Sequence, residues 1–292
     1  IVFIDDIDTL SNIIVNDNYV YFLIGLINSA NTFNLELKKE RIKCKIVLLI
    51  RDDIFNALNY YDANINKLES RILKLNWIDN PYTDYRHPLL DLICNKIRNT
   101  NNFYCDINIE GIYKTLFANC KPYGKTVAEF FTIYGFGRPR EIIKFFSAYI
   151  ESFPKEKDFS NKELCARVIS DYSKWFVSEL ENELAVHKNA DYIKEGFELL
   201  STYNKKGFYY DKIKEYYETN KDSYSHISSI EDLLETFYKF GILANASPLT
   251  NSSANDNRIR YNWVYRKNSR KFNLTDKIVV HNAVRKGLQL NE

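Results

Sequence analysis

Two adjacent carboxylates are the first residues of this chain whose type and position suggest chemistry. Asp5 and Asp6 end the run Ile1-Val2-Phe3-Ile4, whose apolar, β-branched character predicts a fully buried parallel strand. Ligands of open α/β sheets sit at the carboxyl ends of such strands, although an ordinary strand-to-loop exit has the same form. A second apolar run, Lys45-Ile46-Val47-Leu48-Leu49-Ile50, ends in Arg51. Its guanidinium is either a charged donor to phosphate or a solvated residue ahead of the next helix. Arg138 and Arg140 flank Pro139 in Gly135-Phe136-Gly137-Arg138-Pro139-Arg140-Glu141. Proline suits a first helical turn, and glycine permits close backbone approach. Cations at a helix N-terminus oppose its dipole, a conflict that a bound phosphate would resolve. The last group is a basic tail. From Arg258 to Lys286 there are nine Lys and Arg against one acid, Asp276. Arg258, Arg260, Arg266, Lys267, Arg270 and Lys271, interleaved with Tyr261, Trp263 and Tyr265, suit nucleic-acid phosphates. The alternative is a solvated wing on a protein-docking module.

The elements that must position these groups follow from periodicity. Residues 16–41 read as a helix with a break at Asn31-Thr32, so the two apolar strands enclose it as a βαβ unit. A parallel pair of that kind puts Asp5, Asp6 and Arg51 on one edge. Residues 71–77 alternate apolar and polar types, which predicts an edge strand. Residues 89–98, 107–118, 125–134 and 138–150 have helical spacing and suggest a helical lid. Phe153-Pro154-Lys155-Glu156-Lys157-Asp158 is a boundary, and residues 160–186 form a long helix. Helices over 192–203, 211–220 and 230–240, an Asn/Ser-rich loop at 245–257, a hairpin of 258–267 with 270–274, and a closing helix over 276–290 complete the chain. Three helices followed by a basic hairpin predict a winged helix-turn-helix. The expected divisions are therefore 1–78, 79–153, 154–187 and 188–292, in a class of α/β plus all-α.

Composition narrows the function classes. The chain has 292 residues, 45% hydrophobic and 27% charged, with no apolar run long enough to span a bilayer. No membrane partner and a cytoplasmic location are expected. Five cysteines lack any Cys-x-x-Cys pair, and neither they nor the four histidines have the spacing of a zinc site or a catalytic triad. The chain opens inside a strand without Met, so its natural amino terminus is expected upstream. It contains no Met at all, for which we have no physical account.

The order of Ile-Val-Phe-Ile-Asp-Asp, a strand ending in Arg51, Leu75-Asn76-Trp77 and Gly137-Arg138-Pro139-Arg140 resembles the carboxyl half of STAND/AAA-like bacterial P-loop ATPases with a winged-helix tail. The resemblance implies the later part of a parallel-sheet P-loop core, a helical lid and a winged helix. It also implies ATP and Mg²⁺ as cofactors. Asp5 would match the Walker B metal ligand, Asp6 the residue that polarises the attacking water, and Arg51 the sensor-1 position. Pro139 would begin the lid helix, with Arg138 or Arg140 closing it on phosphate. The chain departs from the pattern in lacking Gly-x-x-x-x-Gly-Lys-Ser/Thr, which the family places upstream of Walker B. Lys121-Pro122-Tyr123-Gly124-Lys125-Thr126 lacks the earlier Gly and reads as a turn and helix start. The implied function is a nucleotide-dependent switch, compatible with nucleotide-dependent oligomers, acting on duplex DNA or a protein partner. The alternative is a non-catalytic DNA-binding or scaffold protein.

Overall fold

A computed structural model describes residues 1–7, 17–75, 77–78, 80–248, 259–266 and 270–291. Two compact units divide the chain. One combines residues 1–75 with 182–190, and the other combines 76–181 with 191–292.

The first unit contains β1 (Val2–Ile4), α1 (Asp17–Lys39), β2 (Ile46–Leu48), α2 (Asp52–Leu58) and a 3₁₀ helix, Ala63–Arg71. The strands pair in parallel, with Val2 opposite Ile46 and Ile4 opposite Leu48. Val20, Leu23 and Ile27 of α1 form one helical stripe. They bury against Ile54, Leu58, Ile65 and Val186, as a one-faced amphipathic helix must. α1 runs without a break through Asn31. There Asn34 bridges to β2, its side chain donating to the Ile46 carbonyl and accepting from the Ile46 N–H, both at 2.8 Å.

The second unit is mainly helical. α3 (Pro88–Thr100), α4 (Ile109–Leu116), α5 (Val127–Ile133), α6 (Pro139–Ser152) and α7 (Lys162–Leu184) come first. Asn108 caps α4 through the Gly111 N–H, and Thr126 and Glu129 form a reciprocal capping box on α5. The Gly-Lys-Thr segment is thus a turn and helix start. Phe117, Phe130, Phe131, Phe145 and Tyr172 are fully buried and pack edge-on or stacked, as with Phe131 against Phe145 at 5.5 Å and Phe117 against Phe159 at 5.3 Å. Then come α8 (Ala190–Tyr203), β3 (Gly207–Phe208), α9 (Tyr210–Thr219), α10 (Ile230–Lys239), β4 (Leu243–Pro248), β5 (Ile259–Asn262), β6 (Lys277–Val280) and α11 (Asn282–Gly287). The four strands form one antiparallel sheet in the order β3-β6-β4-β5.

The expected fold class is corrected by this architecture. A P-loop core is a many-stranded parallel sheet buried on both faces. Here the parallel sheet has two strands of three residues, and Ile1 and Phe3 are 77% and 63% exposed. The expected strand over 71–77 is absent among the described residues, because the 3₁₀ helix occupies the segment up to Arg71 and no pairing follows. The expected winged helix-turn-helix is likewise replaced by the four-stranded antiparallel sheet. Its β5 pairs with β4 rather than with residues 270–274. β6 lies where a closing helix was expected, because Lys277-Ile278-Val279-Val280 fills a central position between β3 and β4. The part of the Asn/Ser-rich loop at 249–257 lies outside the described residues. No described helix is long and apolar enough to cross a membrane.

Candidate nucleic-acid interface

The parallel pair brings three of the candidate residues to one edge. The Leu49 N–H donates to the Ile4 carbonyl at 2.9 Å, so Asp5, Asp6 and Arg51 all leave the strands at their carboxyl ends. Both acids are exposed. Asp6 has φ of 58°, in the left-handed region, and its N–H donates to the Asp5 carboxylate at 2.9 Å. Arg51 precedes α2 in extended conformation without capping it. Among the described residues no three His, Cys, Asp or Glu side chains gather as a metal site. Two exposed carboxylates suit only an ion such as Mg²⁺ that keeps several waters and takes further oxygens from a phosphate ligand.

The Gly-Arg-Pro-Arg segment lies in the other unit. Pro139 opens α6 as expected. Glu141 is 3% exposed, and its Oε2 accepts from the Phe136 N–H at 2.9 Å and the Arg138 N–H at 3.1 Å. The negative charge that favours a helix N-terminus is therefore supplied from within the chain. Arg138 lies over the Phe136 ring at 5.0 Å. Arg140 pairs with Glu179 at 2.6 Å on an exposed surface. Gly137 has φ of +66°, and a Cβ there would fall 2.5 Å from the Ile78 side chain, so the segment is fitted closely to its neighbours. Phe136 is packed against Phe176, Tyr265 and His281 at 5.0, 4.7 and 5.2 Å. His281 is buried, accepts from the Ala283 N–H to cap α11, and is pushed by desolvation down to a pKa of about 3. It is a neutral packing and capping residue.

The basic tail supplies the best-formed site. Ser247 pairs with Arg260, and Asn245 with Asn262, across β4 and β5, so these alternate residues share one sheet face. Residues 270–273 cross that face, held by two asparagines that imitate strand pairing. Asn262 accepts from the Arg270 N–H at 2.6 Å and donates to the Arg270 carbonyl at 3.1 Å. Asn245 accepts from the Asn273 N–H at 2.9 Å and donates to the Asn273 carbonyl at 2.7 Å. The Tyr238 hydroxyl also donates to the Arg270 carbonyl, and its ring stacks on Phe272 at 5.0 Å. Arg260, Arg270 and Lys271 line the resulting cleft of about 140 Å³ with Asn262 and Ser247, and Asp276 is its one carboxylate. Among the described residues no ion pair takes up these three cations.

Arg266 is placed elsewhere. Its guanidinium donates to the Thr132 carbonyl at 2.9 Å. Arg258 and Lys267 lie outside the described residues. Asn245 and Asn262, which hold the cleft, were not foreseen in the sequence, where isolated asparagines in a polar region look like loop residues. The only available signal was their position within alternating strand segments. Compared with known proteins, the chain matches no family model, no curated protein and no solved structure.

Proposed function

We propose that the chain is a non-catalytic nucleic-acid-binding protein in which Arg260, Arg270 and Lys271 take backbone phosphates of a duplex. The observation that supports this is the cleft itself, where three cations without ion-pair partners among the described residues converge on a backbone fixed by Asn245 and Asn262. Guanidinium forks match phosphate oxygens, and cations already held in place lose less freedom on binding. Neutralising three phosphates gives log K against log salt a slope of about −2.7, so affinity falls roughly 40-fold from 50 to 200 mM salt. Fluorescence anisotropy of labelled duplex DNA measures the slope, and heparin separates duplex geometry from charge alone. Reversing Arg270 and Lys271 to Glu should abolish binding while far-UV circular dichroism is unchanged. Binding that survives this double reversal overturns the reading, and absence of any DNA affinity at low salt assigns the face to protein docking. All five cysteines are free, which supports a cytoplasmic setting.

A second reading has its own observation, the convergence of Asp5, Asp6 and Arg51 at one edge. There the two acids would hold hydrated Mg²⁺ and Arg51 a phosphate of ATP, making the chain part of a nucleotide-dependent switch or oligomer. Calorimetry with ATP and Mg²⁺ tests this. Binding that is lost on Asp5→Asn supports it, and no binding at millimolar ATP removes it.

A further inference from the structure

Apart from the basic cleft, the second unit contains a cavity of about 160 Å³ lined by His87, Ala128, Glu129, Thr132 and Arg266. His87 is 1% exposed and caps α3, its Nδ1 accepting from the Leu89 N–H at 3.3 Å. A ring accepting at Nδ1 carries its proton on Nε2 when neutral, and burial lowers the His87 pKa, which keeps it neutral. That Nε2 is buried with no hydrogen-bond partner among the described residues. Buried donors in folded proteins are nearly always paired, so a buried imidazole N–H in the wall of a cavity is a place for an acceptor atom of a ligand.

The charged groups of the same wall say which ligand. Arg266 spends one N–H on the Thr132 carbonyl, and a guanidinium has five, so it retains donors for an anionic oxygen. Glu129 is held ionised by the Thr126 backbone and hydroxyl, both of which donate to its Oε2 at 2.8 Å. Its other oxygen remains an acceptor. A simple oxyanion would satisfy Arg266 and His87 and be repelled by Glu129. A molecule that carries a carboxylate beside an ammonium satisfies all three. Size sets the upper limit, since a cavity of about 150 Å³ accommodates a molecule of about six heavy atoms such as benzene.

We propose that this cavity is a binding site for a small zwitterion, an α-amino acid with a short side chain, its carboxylate on Arg266 and His87 and its ammonium on Glu129. The site goes beyond the nucleic-acid reading and uses none of the cations in that cleft, so either can fail alone.

Calorimetry on the full chain tests the site with glycine, L-alanine and L-serine as probes, and with acetate, ethylammonium and inorganic phosphate as single-charge controls. At least one amino acid should bind, with each control at least tenfold weaker. Glu129→Gln keeps the capping box and removes the charge that faces the ammonium, so it should weaken the amino acid at least tenfold and leave acetate unaffected. Arg266→Gln should weaken both. His87→Asn keeps a capping oxygen on α3 and removes the ring N–H, and should weaken the carboxylate-bearing probes. No heat from any amino acid at millimolar concentration overturns the proposal, and this arm needs no variant to fold. Phosphate binding as tightly as the best amino acid, or amino-acid binding unchanged in Glu129→Gln, also overturns it.

Discussion

Removing the Glu141 carboxylate should destabilise the second unit more than any other single surface-to-core change near α6. Its Oε2 receives two backbone N–H groups, from Phe136 and Arg138, and the side chain is buried. Hydrogen bonds to a charged group contribute about 1.5–3 kcal/mol each, and a buried donor left unpaired costs the full desolvation penalty. Phe136 is buried and Arg138 exposed, so the first bond belongs near the upper end of that range and the second near the lower. Glu141→Ala is therefore expected to cost about 3–5 kcal/mol, a large share of the roughly 5–15 kcal/mol that holds a domain folded. Glu141→Gln retains a neutral acceptor and should cost about half as much. Urea titration followed by tryptophan fluorescence reads the effect selectively, because Trp77, Trp175 and Trp263 all belong to the second unit. With a slope of about 2 kcal/mol per molar urea, the alanine midpoint should fall by roughly 1.5–2.5 M. A fall below about 0.5 M at unchanged slope would refute the account and return the helix start to an external anion.

Two further outcomes follow from the same unit. Unfolded His281 binds a proton near its ordinary 6.5 and the folded residue only near 3, so the unfolded chain holds more protons between those values. Stability should fall by up to about 1.4 kcal/mol per pH unit on acidification through that window. His281→Asn keeps a capping oxygen and should flatten the slope measured by urea midpoints from pH 7 to 4; an unchanged slope contradicts the neutral assignment. Gly137→Ala combines a left-handed backbone with a Cβ 2.5 Å from Ile78 and should cost about 2–4 kcal/mol. At Gly124, also at positive φ but with nothing within 4 Å, alanine should cost only about 1–2 kcal/mol; equal thermal shifts would mean that the Ile78 contact is unimportant.

What the sequence revealed depended on how local each signal was. Helices were legible because spacing and caps are local, as with Thr126 and Glu129 on α5 and Pro139 on α6. The strands were less so. Lys277-Ile278-Val279-Val280 has four residues beside a helical pattern, and only its partners Leu243–Ala246 and Gly207–Phe208 make it central. The strand Ile1–Ile4 was placed correctly in register with Ile46–Leu48 but its burial was not, since cover on both faces is a property of the whole sheet. In the basic region, Arg260, Arg270 and Lys271 were named from charge and meet in one cleft. Arg266 carries the same charge and turns to Thr132, a contact across more than a hundred residues that composition cannot predict. The unpaired Nε2 of His87 was equally invisible, because tautomer and burial are set by the fold.

The first unit is discontinuous, and this constrains the order in which the protein is made. Its helix α1 and both strands leave the ribosome early, yet Val186, a member of the same buried cluster as Val20, Leu23 and Ile54, comes after the 76–181 segment that belongs to the other unit. At about 5–20 residues per second, translation of that insertion takes roughly 5–20 s, during which the early core lacks its last wall. Closing a loop of about 106 residues has an entropic cost of about 4 kcal/mol, less once the inserted segment has folded and brought its ends together. Synthesis from the amino end thus makes completion of the first core contingent on the folding of residues that are not in it. A chain stalled between residues 76 and 181 would hold a nascent domain with an unfilled apolar side, the kind of surface that chaperones recognise.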